Sequence, residues 1–253
     1  MILYNAPQST CSQKVRLVLH EKNLQFEDVR LNLGKKDQLK QEYLAINPNG
    51  VVPTLLDDGE PIVDSSVICE YLDEKYPDHS LTPSGVLERA RMRSWMRYLE
   101  EVPTAAIRVP SFNRAFLSRF DGLDEKSFRE EQVNVRKIRK DFFVRMGSPK
   151  GFSSDEVTSS LHQLSEACER MHTALDRGPW LLGEQFTLAD VLAAPTIDRM
   201  SDLGLAYLWE ERYPRVSQWY IRLQARSAFA ATYYAGTRVS ELAELRPLYA
   251  SGR

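Results

Sequence analysis

The run Asn49-Gly50-Val51-Val52-Pro53-Thr54-Leu55-Leu56-Asp57-Asp58-Gly59-Glu60-Pro61-Ile62-Val63-Asp64-Ser65-Ser66 constrains the fold more than any other stretch, because it holds a strand, a tight turn, a second strand and a capped helix start. Apolar residues flank Asp57-Asp58-Gly59, and an Asp-Gly pair suits the positive backbone angles of a hairpin turn, so two short antiparallel strands are expected. Pro53 opens the first of them, where it has no N–H to give to a ladder. A cis Val52-Pro53 bond would resolve that conflict, since cis bonds are essentially confined to proline. It would also turn the Val52 N–H and C=O outward, free to pair with an extended ligand backbone. Asp64 and Ser65 then stand at a helix N-terminus. An amino-acid-like ligand carries both signs of charge: its carboxylate suits the helix amides, and its ammonium suits Asp64.

Upstream, Ile2-Leu3-Tyr4 reads as a short strand, and Ser9-Thr10-Cys11-Ser12 offers caps for a helix bearing Val15, Val18 and Leu19 and stopping near Asn23. Leu24, Phe26, Val29, Leu31 and Leu33 alternate as a second strand, and Leu39, Tyr43 and Leu44 mark a shorter helix. The order is βαβ, then α, then ββα. With Cys11 near the first helix and a strand-opening Pro53, that order matches a thioredoxin-like α/β domain.

These residues resemble the cytosolic glutathione transferases. Ser9-Thr10-Cys11-Ser12-Gln13-Lys14-Val15-Arg16 is similar to the active-site turn of the serine- and cysteine-type classes, Val52-Pro53 to their cis-proline, and Asp64-Ser65 to their γ-glutamyl-binding acid and serine. Val67-Ile68-Cys69-Glu70-Tyr71-Leu72 and Arg91-Met92-Arg93-Ser94-Trp95 resemble bacterial β-aryl etherases. Gly178-Pro179-Trp180-Leu181-Leu182-Gly183 with Phe186-Thr187-Leu188-Ala189-Asp190 resembles the family's late helix-capping signature. The resemblance leaves about residues 105 to 155 unmatched. It implies glutathione as co-substrate, a thioredoxin-like domain over 1–79, an all-α substrate domain over 86–253, and a homodimer.

Composition agrees. A chain of 253 residues with 43% hydrophobic content can build real cores in one large or two ordinary domains. No apolar run suits a membrane helix and no leader pattern opens the chain, so a cytoplasmic protein is expected. A formal net charge of -2 gives no general field for nucleic acid. Three widely separated cysteines make neither a disulfide framework nor a metal site, and His20, His79, His162 and His172 show no metal spacing. No metal cofactor is expected.

The polar stretch His79–Gly85 separates two helical patterns and marks the domain boundary. Beyond it, Met92, Trp95, Met96 and Leu99 recur at helical spacing as core, while Arg89, Arg93 and Arg97 form a solvated or cleft-facing row. The charge-dense stretch Asp121–Met146 reads as a helix with one buried face, followed by a break at Gly147-Ser148-Pro149-Lys150-Gly151. A helix over Ser154–Asp176 should end before Gly178-Pro179, and Pro214 can start another carrying Val216, Trp219, Tyr220 and Leu223. Thr187-Leu188-Ala189-Asp190 has the spacing of a capping box, which gives Asp190 a folding role.

The chemistry implied by the resemblance turns on ionising a thiol. A free thiol with pKa near ~8.5 is mostly protonated at neutral pH, whereas the thiolate is the nucleophile. A helix N-terminus and a donating hydroxyl both favour the anion. Ser9, Thr10, Cys11 and Ser12 all stand at such a terminus. By family position Ser9 matches the catalytic serine of zeta-like enzymes, while Cys11 matches the cysteine of reductive dehalogenases. Two mechanisms follow: Ser9 stabilises a glutathione thiolate that attacks a small, aromatic electrophile, including an aryl ether, or Cys11 resolves a glutathione adduct by thiol exchange. The alternative outside catalysis is a glutathione-binding interaction protein. Ser9 as an ordinary cap and Cys11 as a packed thiol are the structural readings.

The remaining assignments are binding residues. Lys40, beside Lys35 and Lys36, is a partner for the glycyl carboxylate if it does not simply belong to a solvated face. Val51 stands where relatives carry a polar ligand contact, which removes one expected hydrogen bond. Tyr4 belongs to the first strand and reads as core. Arg108, Phe112, Arg114 and Phe116 combine aromatic surface with positive charge, so Arg108 and Phe112 are assigned to the substrate, with core packing the alternative for the two phenylalanines.

Overall fold

The computed structural model describes residues 1–117, 126, 151–242 and 244–249. The chain opens with β1 (Ile2–Asn5), α1 (Thr10–Glu21) and β2 (Glu27–Arg30). A short α2 (Gln41–Ile46) leads to the hairpin β3 (Thr54–Asp57) and β4 (Glu60–Val63), and α3 (Ser65–Lys75) closes this unit. The strands lie in the order β2-β1-β3-β4, with β1 parallel to β2 and antiparallel to β3. This is the thioredoxin-like order read from the sequence. The hairpin turn places Asp58 at φ 50° and Gly59 at φ 88°, the left-handed pair that an Asp-Gly sequence accommodates. The Val52-Pro53 bond is cis.

Two elements differ from expectation. The second strand covers Glu27–Arg30 alone: it lies at the sheet edge with no fully buried residue, and Asn32 then caps a tight 3-10 turn over Leu33–Lys35 through its side chain. Leu39 ends a second 3-10 turn, and the extended backbone of Lys40 (ψ 148°) separates it from α2.

The second half is helical: α4 (Val86–Glu101), α5 (Pro103–Ala106), α6 (Arg108–Ser111), a π-helical turn over Phe112–Phe116, then α7 (Ser154–Ala174), α8 (Leu188–Asp202), α9 (Pro214–Gln224) and α10 (Ser227–Thr232). The helix expected over Asp121–Met146 falls outside the described residues, Lys126 excepted. Met92, Met96 and Leu99 are buried as their spacing implied, and Trp95 packs at the core margin. Pro214 is the first residue of α9, whose Val216, Trp219, Tyr220 and Leu223 are buried. Among the described residues no helix is long and apolar enough to cross a membrane.

One buried carboxylate organises the packing of α8 in the helical half. Asp190 is fully buried in the first turn of α8 and accepts from the Leu181 N–H (3.0 Å), the Thr187 N–H (3.0 Å), the Thr187 hydroxyl (3.3 Å) and Trp219 Nε1 (2.8 Å). It completes the capping box and ties α8 to α9 and to the Trp180–Gly183 loop. That loop has no room at Gly178, where a Cβ would sit 2.6 Å from the Gly183 carbonyl carbon. Burial pushes the Asp190 carboxyl up to about 6, against the pull of its donors.

Asp190→Ala leaves these donors without an acceptor, at about 1–3 kcal/mol for each unpaired buried group, and should cost on the order of 3–5 kcal/mol of stability. Loss of soluble yield and a lowered thermal midpoint would register it, and an unchanged midpoint would contradict it. Because the folded pKa lies above the ordinary carboxylate value near 4, the native state binds the extra proton. The stability of the native protein relative to Asp190→Asn should therefore fall as pH rises from about 4 to about 6 and flatten above.

Candidate functional site

The sheet register gathers the expected site at one edge. Tyr4 pairs with Thr54, and Thr54 with Val63. The end of β1 leading to Ser9, the start of β3 after Pro53 and the end of β4 before Asp64 therefore emerge side by side.

Ser9 is the N-cap of α1, and its Oγ accepts from the Ser12 N–H at 3.2 Å. That bond occupies a lone pair and leaves the hydroxyl proton to be donated elsewhere. Ser9, Thr10 and Cys11 are half-buried, whereas Ser12 is fully buried and its Oγ accepts from the Ala6 N–H at 3.2 Å. The loop before Ser9 is held by its carbonyls. Arg16 donates to the carbonyls of Ala6 (3.4 Å) and Pro7 (2.8 Å), and Arg199 of α8 donates to that of Gln8. Gln8 Nε2 and Gln13 Nε2 donate in turn to the carbonyls of Gly236 (2.9 Å) and Thr237 (3.2 Å), which binds the chain after α10 to this turn.

On the second side, the Val51 carbonyl accepts from the Tyr43 hydroxyl (2.6 Å) and Asn47 Nδ2 (2.9 Å), both of which also meet Thr54 Oγ1. Among the described residues, the N–H and C=O of Val52 take no hydrogen-bond partner. This is the arrangement an extended ligand backbone requires. Val51 contributes no polar side chain here, and its carbonyl serves the brace.

The third side is Asp64, exposed and in left-handed backbone conformation (φ 75°), a conformation uncommon outside glycine. Its Oδ1 accepts from the Ser66 N–H (3.0 Å), the Ser66 hydroxyl (2.6 Å) and the Val67 N–H (3.4 Å), so Asp64 is the N-cap of α3. Oδ2 takes no partner among the described residues, which leaves one carboxylate oxygen for a cation. Ser65, the first helical residue, is buried beside it.

Other assignments shift. Lys40 pairs with Asp37 of its own loop at 2.7 Å and projects into solvent. Phe112 is fully buried, edge-to-face with Phe152 and beside Val157, so it fills a core and does not line a cleft. Phe112 opens the π-helical turn over Phe112–Phe116, and its ring packs against Phe152 and Val157 at the start of α7. Arg114 also has a structural task, donating to the carbonyls of Arg246 and Leu203. Arg108 is half-buried at the start of α6 and remains a candidate.

Sequence reasoning missed the supporting charges. Lys14, one turn after Cys11, is fully buried and reaches Glu100 of α4 (2.6 Å) and Thr104 of α5 (3.2 Å). The three cysteines separate by environment: Cys11 is half-buried, whereas Cys69 and Cys168 are buried. Burial pushes the Cys69 thiol far up and that of Cys168 to about 12. Among the described residues, no group of three or more His, Cys, Asp or Glu side chains is placed to hold a metal ion.

Family models described as "Glutathione S-transferase, N-terminal domain" and "Glutathione S-transferase, C-terminal domain" match residues 3–80 and 155–222. The chain is 30% identical over 227 residues to glutathione S-transferase Z1 of Arabidopsis thaliana, covering 90% of this chain and 88% of that protein. It is 26% identical over 242 residues to protein LigF of Sphingobium, covering 93% and 94%. The crystal structure of beta-etherase LigF from Sphingobium sp. strain SYK-6 superposes with a TM-score of 0.82 at 26% identity, over 92% of this chain and 98% of that one.

The cysteine environments make a direct prediction. In the native protein a maleimide should label a single thiol, and Cys11→Ser should abolish that labelling, because buried protonated thiols react poorly. Native labelling that survives in Cys11→Ser would refute the assignment.

Proposed function

This chain belongs to the glutathione S-transferases, and from that premise we propose that it joins glutathione to a small aromatic electrophile, with Ser9 stabilising the attacking thiolate. The observation that carries this reading is the Ser9 hydroxyl, whose lone pair is committed to the Ser12 N–H and whose proton is left for a sulfur anion at the start of α1. The unit over residues 1–79 binds glutathione. Val52 pairs with its backbone, while Oδ2 of Asp64 and the α3 start at Ser65 receive its γ-glutamyl ammonium and carboxylate. Thr10 and Cys11 border the sulfur, and Lys40 can meet the glycyl carboxylate by exchanging Asp37 for it.

The helices over residues 86–253 select the second substrate, with Arg108 as a cation for a phenolate or carboxylate. The electrophile we favour is an arylglycerol β-aryl ether, supported by the likeness to beta-etherase LigF along nearly the whole chain. In that reaction the thiol first releases its proton. The sulfur–carbon bond then forms as the carbon–oxygen bond breaks, the bonding pair leaves with the phenolate, and water returns a proton to it. A homodimer in the cytoplasm belongs to the same reading, with exposed Val67, Val86 and Leu87 as apolar surface for association. A second reading rests on Cys11, whose half-buried place on the first turn of α1 suits thiol exchange with a glutathione adduct.

Incubation with both enantiomers of a β-aryl ether should release a phenol and form a glutathione thioether. No phenol from either, in protein that binds glutathione and turns over another electrophile, removes the etherase reading. A mixed disulfide trapped on Cys11 would favour the second reading. Ser9→Ala should reduce turnover at neutral pH by an amount equivalent to about 1.5–3 kcal/mol, the worth of a hydrogen bond to a charged group. The deficit should shrink at high pH, where solvent ionises the thiol, and an equal deficit at every pH would exclude thiolate stabilisation. Asp64→Ala and Ser65→Ala should each weaken glutathione binding in calorimetry, and unchanged affinity in both would remove that end of the site.

A further inference from the structure

We propose that Arg199 is a positioning residue for the transfer reaction: from α8 its guanidinium holds the Gln8 carbonyl, and through it sets the direction of the Ser9 hydroxyl. The proposal rests on the assignment of Ser9 as the group that stabilises the thiolate.

Helix α8 is buried at every position from Leu188 to Met200, and an apolar residue at 199 would suit that environment. Arg199 is instead a guanidinium with 4% exposure. Such a group stays charged at any working pH, and burying it is costly unless acceptors surround it. Its partners come from three directions. Nη2 donates to the Gln8 carbonyl, Nη1 lies 3.5 Å from Ser111 Oγ of α6, and Nε lies 3.7 Å from Asp202 Oδ2 on its own helix. The guanidinium also lies 6.0 Å from the Phe116 ring.

The neighbouring charges are engaged elsewhere as well. Asp202 accepts from the Val239 N–H (2.7 Å) and the Ser240 N–H (3.2 Å). Asp198 is occupied by Arg238 (2.8 Å) and Tyr220 (2.7 Å). The Gln8 carbonyl is the contact that gives Arg199 an effect on the reacting end of the molecule.

That carbonyl belongs to the peptide unit immediately before Ser9. Rotation of the unit changes φ of Ser9 and swings its Cα–Cβ bond, and with it the hydroxyl. The Ser9 N–H on the other side of the same unit donates to the Ala6 carbonyl at 3.0 Å, so the peptide plane is gripped at both edges. The Ala6 and Pro7 carbonyls are held from α1 itself by Arg16, and Pro7 also by Gln13. The Gln8 carbonyl is held from the helical half. Misplacement of a catalytic group by about 1 Å is enough to cost a large factor in rate.

The test reads the ionisation of bound glutathione. Thiolate ultraviolet absorbance is followed against pH in the binary complexes of the native protein, Arg199→Met, Arg199→Lys, Ser9→Ala and the double variant Ser9→Ala/Arg199→Met. Arg199→Met should shift the thiol titration to higher pH and lower kcat at neutral pH by about tenfold, with glutathione affinity held within about twofold. Arg199→Lys should fall between it and the native protein. The double variant should shift no further than Ser9→Ala, since both changes remove the same contact to sulfur. An unshifted titration in Arg199→Met, additive shifts in the double variant, or insolubility of both Arg199 variants would each overturn the proposal and leave Arg199 a folding residue. An unshifted titration in Ser9→Ala would instead overturn the Ser9 assignment itself.

Discussion

Through its middle, helix α1 has no solvent face. Every residue from Ser12 to Leu19 is buried, because the helix lies against α3 on one side and against α8 and α10 on the other. Such a helix should be apolar all round, yet this one carries Gln13, Lys14 and Arg16. Each buried charge then dictates what must surround it. Lys14 requires Glu100 and Thr104 from α4 and α5. Arg16 requires Asn5 and the carbonyls of Ala6 and Pro7, and the ring of Tyr234 lies 5.4 Å from its guanidinium. Burial pushes the Arg16 guanidinium down from its ordinary value, while Tyr234, Tyr233 and Asp28 draw it back up. The segment leading into α1 is consequently shaped by cations from behind, and its free side is the N-terminus of the helix.

This arrangement separates two tasks that a glutathione site must combine. Binding an extended peptide asks for unpaired backbone and a few exposed charges, a task the proposed reading gives to Val52 and Asp64 at the open end of the sheet. Stabilising a thiolate asks for a donor that does not move when the charge forms, since a preorganised dipole costs no reorganisation at the moment of reaction. In the proposed reading the Ser9 turn would meet the second demand, because its carbonyls are held on the buried side, by Arg16 and Gln13 from α1 and by Arg199 from α8. Asp64 shows the two demands meeting in one residue. Its left-handed backbone and Oδ1 serve the α3 cap, and Oδ2 serves the proposed ligand. Its removal should therefore act on both helix and affinity, with a cap worth about 0.5–2 kcal/mol.

The division between what the sequence discloses and what it hides follows the range of the interactions. The hairpin at Asp58-Gly59, the cis bond at Pro53, the start of α9 at Pro214 and the Thr187–Asp190 box are decided by residues within four positions of one another, and all are legible from type and spacing. The short β2 was less legible, because its alternating apolar pattern continues past the strand, and the side-chain cap from Asn32 ends it. Lys14, Arg16 and Arg199 stood in plain view as charged residues, but nothing local distinguishes a buried cation from a solvated one. Arg199 finds Gln8 across 191 positions and Lys14 finds Glu100 across 86. Phe112 failed for the same reason: whether an aromatic ring faces a ligand or another ring depends on Phe152, forty positions on.

The C-terminal segment extends the same logic. After α10 the chain passes back over the sheet unit, where the Gly236 and Thr237 carbonyls accept from Gln8 and Gln13 and the Tyr234 ring lies 5.4 and 4.4 Å from the guanidinium carbons of Arg16 and Arg30. It then crosses to α8 through Arg238 and Asp198, and through Val239 and Ser240 with Asp202, and reaches Arg114 through the Arg246 N–H. The contacts of this strap fall on the residues that flank the Ser9 turn and on the two carboxylates beside Arg199. A helical half joined in this way is more than a lid on a separate sheet unit. Its buried polar groups are among the immediate supports of the loop on which the proposed chemistry depends, so changes in its core should reach the Ser9 hydroxyl through the Gln8–Ser9 peptide plane.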